Sequence, residues 1–304
     1  MGGDTGTVLA QAGMLPPELK ARLSERWDLV DVAAMAGGRE TCRVLVTTSM
    51  TGADAALMDS LPALGFIACN GAGLEKIDMA HAAGRGIEVL NTPDAVTTDT
   101  ADFGLALTLA LARRVAEGDR FVRSGRWGAE RMTPSVRVRG KLLGVVGLGK
   151  IGQTLAARAE ALGLRIAYTG PRRKAGVVYD YHPDANALAR ACDFLVLTCP
   201  GTAETEGLID ASVLAALGPH GYLINIARGS VVDEPALIAA LTDRRIAGAA
   251  LDVFAREPLA DSPLLALENV ILAPHYAAVT GETRADMAEI LNSGISRFLG
   301  GTDG

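Results

Sequence analysis

The sequence predicts an α/β fold of two doubly wound parallel-sheet domains, and three observations carry the prediction. Short apolar runs of strand length alternate with alanine- and leucine-rich segments of helical spacing from end to end. The chain has 304 residues, 49% hydrophobic and 21% charged, which is length and composition for two soluble domains. Midway, the run Val145-Val146-Gly147-Leu148-Gly149-Lys150-Ile151-Gly152 closes an apolar strand with a glycine-rich turn and opens a helix.

Taken in order, strands are expected at 8–11, 43–47, 66–70 and 87–90, interleaved with helices at 17–26, 53–61 and 76–83. That set is a small α/β domain in its own right. Asn91-Thr92-Pro93-Asp94 is expected to break regular structure before a long helix from 100 to 115. A strand at 141–146, the glycine turn, a helix at 151–161 and a strand at 164–168 follow. Further strands are expected at 194–198, 222–226, 248–253 and 270–273, and Ala273-Pro274 precedes a final helix at 280–299. No internal repeat or low-complexity segment stands out.

Gly147, Gly149 and Gly152 fit G-x-G-x-x-G, in which the first glycine permits a tight turn and the second lets a pyrophosphate approach the main chain. The third allows close helix–strand packing. The pyrophosphate would sit on the free amides that open the helix at Lys150. In the strand–turn–helix–strand context this is a Rossmann dinucleotide fingerprint. A site for NAD places Asp or Glu about 20 residues further on, to accept from the ribose 2′-hydroxyl. Here the stretch reads Tyr168-Thr169-Gly170-Pro171-Arg172-Arg173-Lys174, with no acid before Asp180. A carboxylate would repel a 2′-phosphate and guanidinium groups bind one, so Arg172 and Arg173 point to NADP(H) over NAD(H). The alternative is a solvated basic turn that touches nothing.

A net charge of −6 and a pI near 5.3 argue against nucleic acid or a membrane surface as the partner, and favour a small metabolite. The longest apolar stretch, 103–112, is too short to span a bilayer and ends at Arg113-Arg114. Residues 1–6 show neither a basic region nor an apolar core, and Gly6 fails the myristoylation pattern. Cys42, Cys69, Cys192 and Cys199 lack CxxC or metal-ligand spacing and read as reduced, mostly buried thiols. The expectation is a cytoplasmic enzyme without a metal.

Four ordered motifs then carry a resemblance. Gly147 to Gly152, the run Asn225-Ile226-Ala227-Arg228-Gly229-Ser230-Val231-Val232-Asp233-Glu234, the run Leu251-Asp252-Val253-Phe254-Ala255-Arg256-Glu257-Pro258, and Pro274-His275 resemble the D-isomer-specific 2-hydroxyacid dehydrogenases. Asn91-Thr92-Pro93-Asp94 and Thr100-Ala101-Asp102 also resemble the family's interdomain region, so the likeness covers nearly the whole chain. It is nearest to NADP-dependent glyoxylate/hydroxypyruvate reductases and hydroxyphenylpyruvate reductases. The expected organisation is a Rossmann cofactor domain at 99–274, inserted in a flavodoxin-like substrate domain at 1–98 that a helix in 275–304 rejoins, with ligands expected in the cleft.

The resemblance implies that His275 donates the proton, Glu257 orients and charges its imidazole, and Arg228 grips the substrate carboxylate and keto oxygen. Each role suits the chemistry of reducing a 2-oxo acid: imidazole titrates near neutrality, a carboxylate favours imidazolium, and guanidinium polarises a carbonyl. All three residues follow carboxyl ends of expected strands, where open α/β sheets bind ligands. Asn70, Gly71, Ala72 and Gly73 resemble the loop whose amides hold the substrate carboxylate. Asp252 resembles the residue at the nicotinamide carboxamide, and Thr100 one near the phosphates. Thr169, Cys199-Pro200 and Ile226-Ala227 fall beside the expected cofactor, with Cys199-Pro200 at the adenine wall.

Departures exist as well. Tyr276-Ala277-Ala278 follows His275 where relatives often carry glycine or serine, and it leaves substrate size open. Trp127 resembles a tryptophan that some relatives place at a neighbouring subunit's site, in line with the homodimer the resemblance implies, and a buried interface tryptophan explains it equally. Three readings stand: reduction of glyoxylate or hydroxypyruvate, reduction of a bulkier acid such as hydroxyphenylpyruvate or 2-ketogluconate, and a non-enzymatic dinucleotide-sensing regulator.

Overall fold

A computed structural model describes residues 7–300; the N-terminal segment 1–6, on which the expectation about a leader rests, lies outside the described residues. The chain divides into two compact units, one of residues 1–96 and 278–304 and one of residues 97–277.

The first unit alternates β1 (Val8–Gln11), α1 (Pro17–Ser24), β2 (Asp28–Asp31), β3 (Val44–Thr48), α2 (Ala55–Asp59), β4 (Phe66–Asn70), α3 (Met79–Gly84) and β5 (Glu88–Asn91). Its five strands pair in parallel in the order β2-β1-β3-β4-β5, the flavodoxin-like order with a switch point between β1 and β3. Successive strand residues point to opposite faces, so Leu9, Val44, Val46, Phe66 and Ala68 pack in one core while Ala10, Leu45, Ile67 and Cys69 pack in the other. The first core also takes Ala288, Leu291 and Ile295 from the last helix, whose Phe298 ring stacks on Phe66 at 5.0 Å. Ion pairs Arg22–Glu289 at 2.9 Å and Arg297–Glu88 at 2.5 Å border that packing.

Helix α4 (Pro93–Ala112) runs through the division between units and is followed by α5 (Val115–Arg123). The second unit continues with β6 (Leu142–Val146), α6 (Lys150–Ala161), β7 (Arg165–Thr169), β8 (Asp180–Tyr181), α7 (Ala185–Ala191), β9 (Phe194–Leu197), α8 (Ala211–Leu217), β10 (Tyr222–Asn225), α9 (Glu234–Thr242), β11 (Gly248–Leu251) and β12 (Val270–Leu272). The chain then enters α10 (Gly281–Phe298) of the first unit. All seven strands are parallel, in the order β12-β11-β10-β9-β6-β7-β8. The order reverses at β6, so the turn after β6 opens beside the carboxyl end of β9, the switch point at which such sheets bind ligands. Both faces are covered by apolar clusters, which is why the strands read as continuous apolar runs.

Three local expectations are corrected. The long helix begins at Pro93 rather than near residue 100, because proline at the first helical turn forfeits only an amide that has no intrahelical acceptor. It stops at Ala112, before Arg114 adopts φ +55 and starts the separate helix α5. Strand β2 was not expected, since two of its four residues are aspartates; it forms as an edge strand paired with β1.

Candidate active site

The glycine turn is built around its neighbours. Gly147 has φ +91, and a Cβ there would stand 2.7 Å from the Cys199 Cα, so only glycine fits without displacement. Its N–H donates to the Thr169 carbonyl at 2.9 Å, and Thr198 Oγ1 donates to its carbonyl at 2.6 Å. At Gly152 a Cβ would approach that same carbonyl to 2.6 Å, which lets α6 press against β6. Gly149 differs: a Cβ there would meet nothing within 4 Å. Gly149 is exposed and stands at the N-cap of α6 with no side chain capping the helix. Open space therefore borders first-turn amides that lack intrahelical acceptors, which is the cradle an anionic pyrophosphate needs. Leu148 faces the core at 2% exposure and Ile151 is half-buried, whereas Lys150 is exposed.

After β7, the segment 170–174 carries no regular secondary structure, and Pro171, Arg172, Arg173 and Lys174 are all exposed. Neither Arg172 nor Arg173 makes a hydrogen bond or ion pair among the described contacts. No acid replaces them before Asp180, so nothing on this segment opposes a 2′-phosphate.

Beyond the carboxyl ends of β10, β11 and β12 stand Arg228, Glu257 and His275, all in the second unit. His275 Nδ1 lies 2.7 Å from Glu257 Oε2, and Glu257 Oε1 accepts the Phe254 N–H at 3.0 Å. Burial of the Glu257 carboxyl works to raise its pKa, but the His275 hydrogen bond, the Phe254 amide and the positive charges of His275 and Arg228 outweigh it and hold it below the ordinary value. An ionised Glu257 accepts from Nδ1–H, which fixes the tautomer and leaves Nε2 outside the pair.

His275 itself has φ +54, a left-handed conformation that non-glycine residues rarely adopt. It is held there by Asp252, which is 1% exposed: the Asp252 carbonyl accepts the His275 N–H at 2.9 Å, and its two carboxylate oxygens accept the N–H groups of Tyr276 at 2.6 Å and Ala277 at 2.9 Å. Burial pushes the Asp252 carboxyl upward, opposed by those two amides. Arg228 is fixed from behind. Asn225, 1% exposed, accepts the Ala227 N–H through Oδ1 at 3.0 Å and donates through Nδ2 to the Arg228 carbonyl at 3.0 Å. The Arg228 guanidinium donates to the Ala227 carbonyl at 2.7 Å.

Of the other expected cofactor residues, Thr100, Thr169, Cys199, Ile226 and Ala227 are buried and Pro200 is exposed. Asn70 to Gly73 lie in the first unit. There the Gly71 amide is spent on Thr92 Oγ1 at 3.1 Å, and Asn91 Nδ2 donates to the Ala72 carbonyl at 2.7 Å. Of the amides expected to hold a carboxylate, those of Ala72 and Gly73 have no partner among the described contacts. All four cysteines are unpaired and buried, and burial raises the Cys69 and Cys192 thiols to about 12 and Cys199 to about 11, so these three offer no thiolate nucleophile. Among the described residues no His, Cys, Asp and Glu cluster could hold a metal, and no helix is long and apolar enough to cross a membrane. A cavity of about 160 Å³ lined by Arg114, Tyr222, Arg244 and Val270 sits at the amino ends of β10 to β12, the opposite end of the sheet from His275.

Sequence reasoning quoted Asn225 inside a motif without giving it a task, and it missed Thr198, Phe254 and Ala277 as partners of the site. Asn225 carries a readable signal, a lone polar residue ending an apolar strand run. The others act through backbone groups or across strands.

A glycine turn at the switch point of a parallel sheet, with an Arg, a Glu and a His beyond three later strands, defines a dinucleotide-dependent class of protein. The model of the D-isomer specific 2-hydroxyacid dehydrogenase NAD-binding domain matches residues 105–277, and the chain belongs to that family. It is 44% identical over 263 residues to a glyoxylate/hydroxypyruvate reductase A of Arabidopsis thaliana, covering 86% of this chain and 84% of the relative. To the hydroxyphenylpyruvate reductase of Plectranthus scutellarioides it is 42% identical over 262 residues, with the same coverage. The fold matches the crystal structure of the NADPH-dependent glyoxylate/hydroxypyruvate reductase of Sinorhizobium meliloti in complex with NADP and malonate. The TM-score is 0.88 at 37% identity, covering 96% of this chain and 93% of that one.

Proposed function

We propose that the protein reduces a small 2-oxo acid of the glyoxylate or hydroxypyruvate type to the D-2-hydroxy acid, with NADPH preferred over NADH. The observation that carries this reading is the His275–Glu257 pair at 2.7 Å beside Arg228. When bound, a nicotinamide dinucleotide would supply the hydride that the carbonyl carbon requires. His275 Nε2 gives its proton to the carbonyl oxygen, while Glu257 keeps the ring oriented and stabilises imidazolium. Arg228 pairs with the substrate carboxylate and polarises the keto oxygen as negative charge develops there. Asn70, Gly71, Ala72 and Gly73 in the first unit are candidates for binding substrate, and Asp252 in the second for the nicotinamide carboxamide. Gly147 to Gly152, Thr100, Thr169, Cys199, Pro200, Ile226 and Ala227 complete the proposed cofactor set, with Arg172 and Arg173 on the 2′-phosphate.

One observation favours a bulkier substrate. Tyr276 is 50% exposed directly after His275, and its ring meets Phe103 edge-on at 6.3 Å, an aromatic wall suited to an aryl side chain. A panel of glyoxylate, hydroxypyruvate, phenylpyruvate, hydroxyphenylpyruvate and 2-ketogluconate with both cofactors tests both readings. Highest kcat/KM for the two small acids supports the first, and a hydroxyphenylpyruvate preference that Tyr276→Ala removes supports the second. Dinucleotide binding without turnover on any acid would instead favour a sensor. Buried, reduced cysteines support a cytoplasmic setting, and the family likeness together with Trp127, 65% exposed in the single chain, supports a homodimer.

A further inference from the structure

The basic segment after β7 is exposed, yet both of its ends are tied. Tyr168, 1% exposed and the fourth residue of β7, accepts the Lys174 N–H on its hydroxyl oxygen at 2.8 Å. Tyr181, the last residue of β8, donates its hydroxyl to the Gly170 carbonyl at 3.2 Å. The two residues are paired across β7 and β8, and their rings meet at 5.3 Å and 58°. Burial of the Tyr168 ring fixes the direction of its hydroxyl. The segment 170–174 is therefore a short loop closed at each end by a tyrosine, with Arg172 and Arg173 between the closures.

Such a closure matters because two long, unpartnered guanidinium side chains lose rotamer freedom when they grip a phosphate, and a mobile backbone would add its own ordering cost. Holding the backbone in advance removes that second cost. Packing alone gives no reason for either hydroxyl, since phenylalanine would fill the same core, and the bonds both hydroxyls make reach only the arginine loop.

We propose that Tyr168 and Tyr181 are positioning residues for cofactor discrimination, holding the Arg172–Arg173 loop in the conformation that receives a 2′-phosphate. This rests on the proposal that those arginines contact it. The hydroxyls act on the 2′-phosphate share of binding and leave the share common to both dinucleotides unchanged.

The test is equilibrium titration of the full chain with NADPH, NADH, 2′-AMP and 5′-AMP, for wild type, Tyr168→Phe, Tyr181→Phe, the double variant and Arg172→Ala, with melting temperature recorded for each. Each tyrosine change is expected to weaken NADPH and 2′-AMP by about two- to tenfold, the usual worth of one hydrogen bond, with NADH and 5′-AMP within twofold of wild type. Equal weakening of both dinucleotides, or no weakening of NADPH, overturns the assignment. If Arg172→Ala lowers the NADPH preference while both tyrosine variants keep it, the arginine reading stands and the clamp falls. Equal wild-type affinity for NADPH and NADH removes both. Tyr181, only half-buried, keeps the test decisive even where a change at Tyr168 disturbs folding.

Discussion

Replacing Gly149 and Gly147 separately with alanine should split binding from stability. At Gly147 the added methyl group meets a backbone at φ +91 and the Cys199 Cα at 2.7 Å. Left-handed backbone costs an L-residue about 1–2 kcal/mol, and forcing neighbours apart about 1–3 more, for a total of about 2–5 kcal/mol. In a unit of this size that lowers the melting temperature by roughly 5–15 °C. At Gly149 the methyl group meets nothing within 4 Å, so the folded state loses only the N-cap preference of glycine over alanine, about 0.5–1 kcal/mol. That methyl group instead occupies the approach to the amides of α6. Two phosphate hydrogen bonds at about 1.5–3 kcal/mol each would be lost, which is at least about a hundredfold in Kd. Scanning calorimetry and titration by NADPH fluorescence read the two effects separately. A Gly149→Ala protein that binds NADPH within threefold of wild type, or melts as early as Gly147→Ala, would refute the placement of the pyrophosphate.

His275→Ala is expected to abolish most turnover while NADPH binding persists; near-normal turnover would remove His275 from the chemistry. Arg172→Ala and Arg173→Ala should each lower the NADPH-to-NADH ratio of kcat/KM by about tenfold, the loss of one charge-assisted bond, and an unchanged ratio would return the loop to solvent. Glu257→Gln should cost about 1–2 kcal/mol at neutral pH, at the low end for a charged hydrogen bond because the His275 side chain is 39% exposed. Because the folded-state pKa of Glu257 is lowered, its contribution is complete above the unfolded value and disappears as pH falls through the folded one. Urea unfolding of both proteins at neutral and acid pH checks this: a gap that widened on acidification would contradict the ionised pair.

Legibility followed locality. The glycine turn and the Arg228, Glu257 and His275 motifs are contiguous runs, each set just after an apolar strand run, so their places beyond strand ends were legible. In sequence Pro93 reads as a breaker ahead of α4, although at a first turn it lacks nothing the helix uses. Strand β2 was invisible because Asp28 and Asp31 have poor strand propensity, and only the β1 ladder makes a strand of them. The tie from Asp252 to Tyr276 and Ala277 joins residues about two dozen positions apart through backbone amides, which leave no mark on side-chain pattern. The two tyrosines that close the arginine loop read, from sequence, as ordinary strand aromatics.

The same loop around His275 carries two costs that packing does not require. A left-handed histidine costs about 1–2 kcal/mol where glycine would cost nothing, and burying Asp252 raises its pKa, which means the ionised carboxylate is held at an expense. Both costs are met by one set of bonds, the Asp252 carbonyl on the His275 amide and its carboxylate on the next two amides. Those bonds fix where the imidazole leaves the backbone, and from there Nδ1 reaches Glu257 at 2.7 Å. Stability alone would favour glycine at 275. Strain and a buried acid spent together on aiming one ring are what a proton donor requires, and this links the backbone geometry to the proposed reduction more directly than the presence of a histidine does.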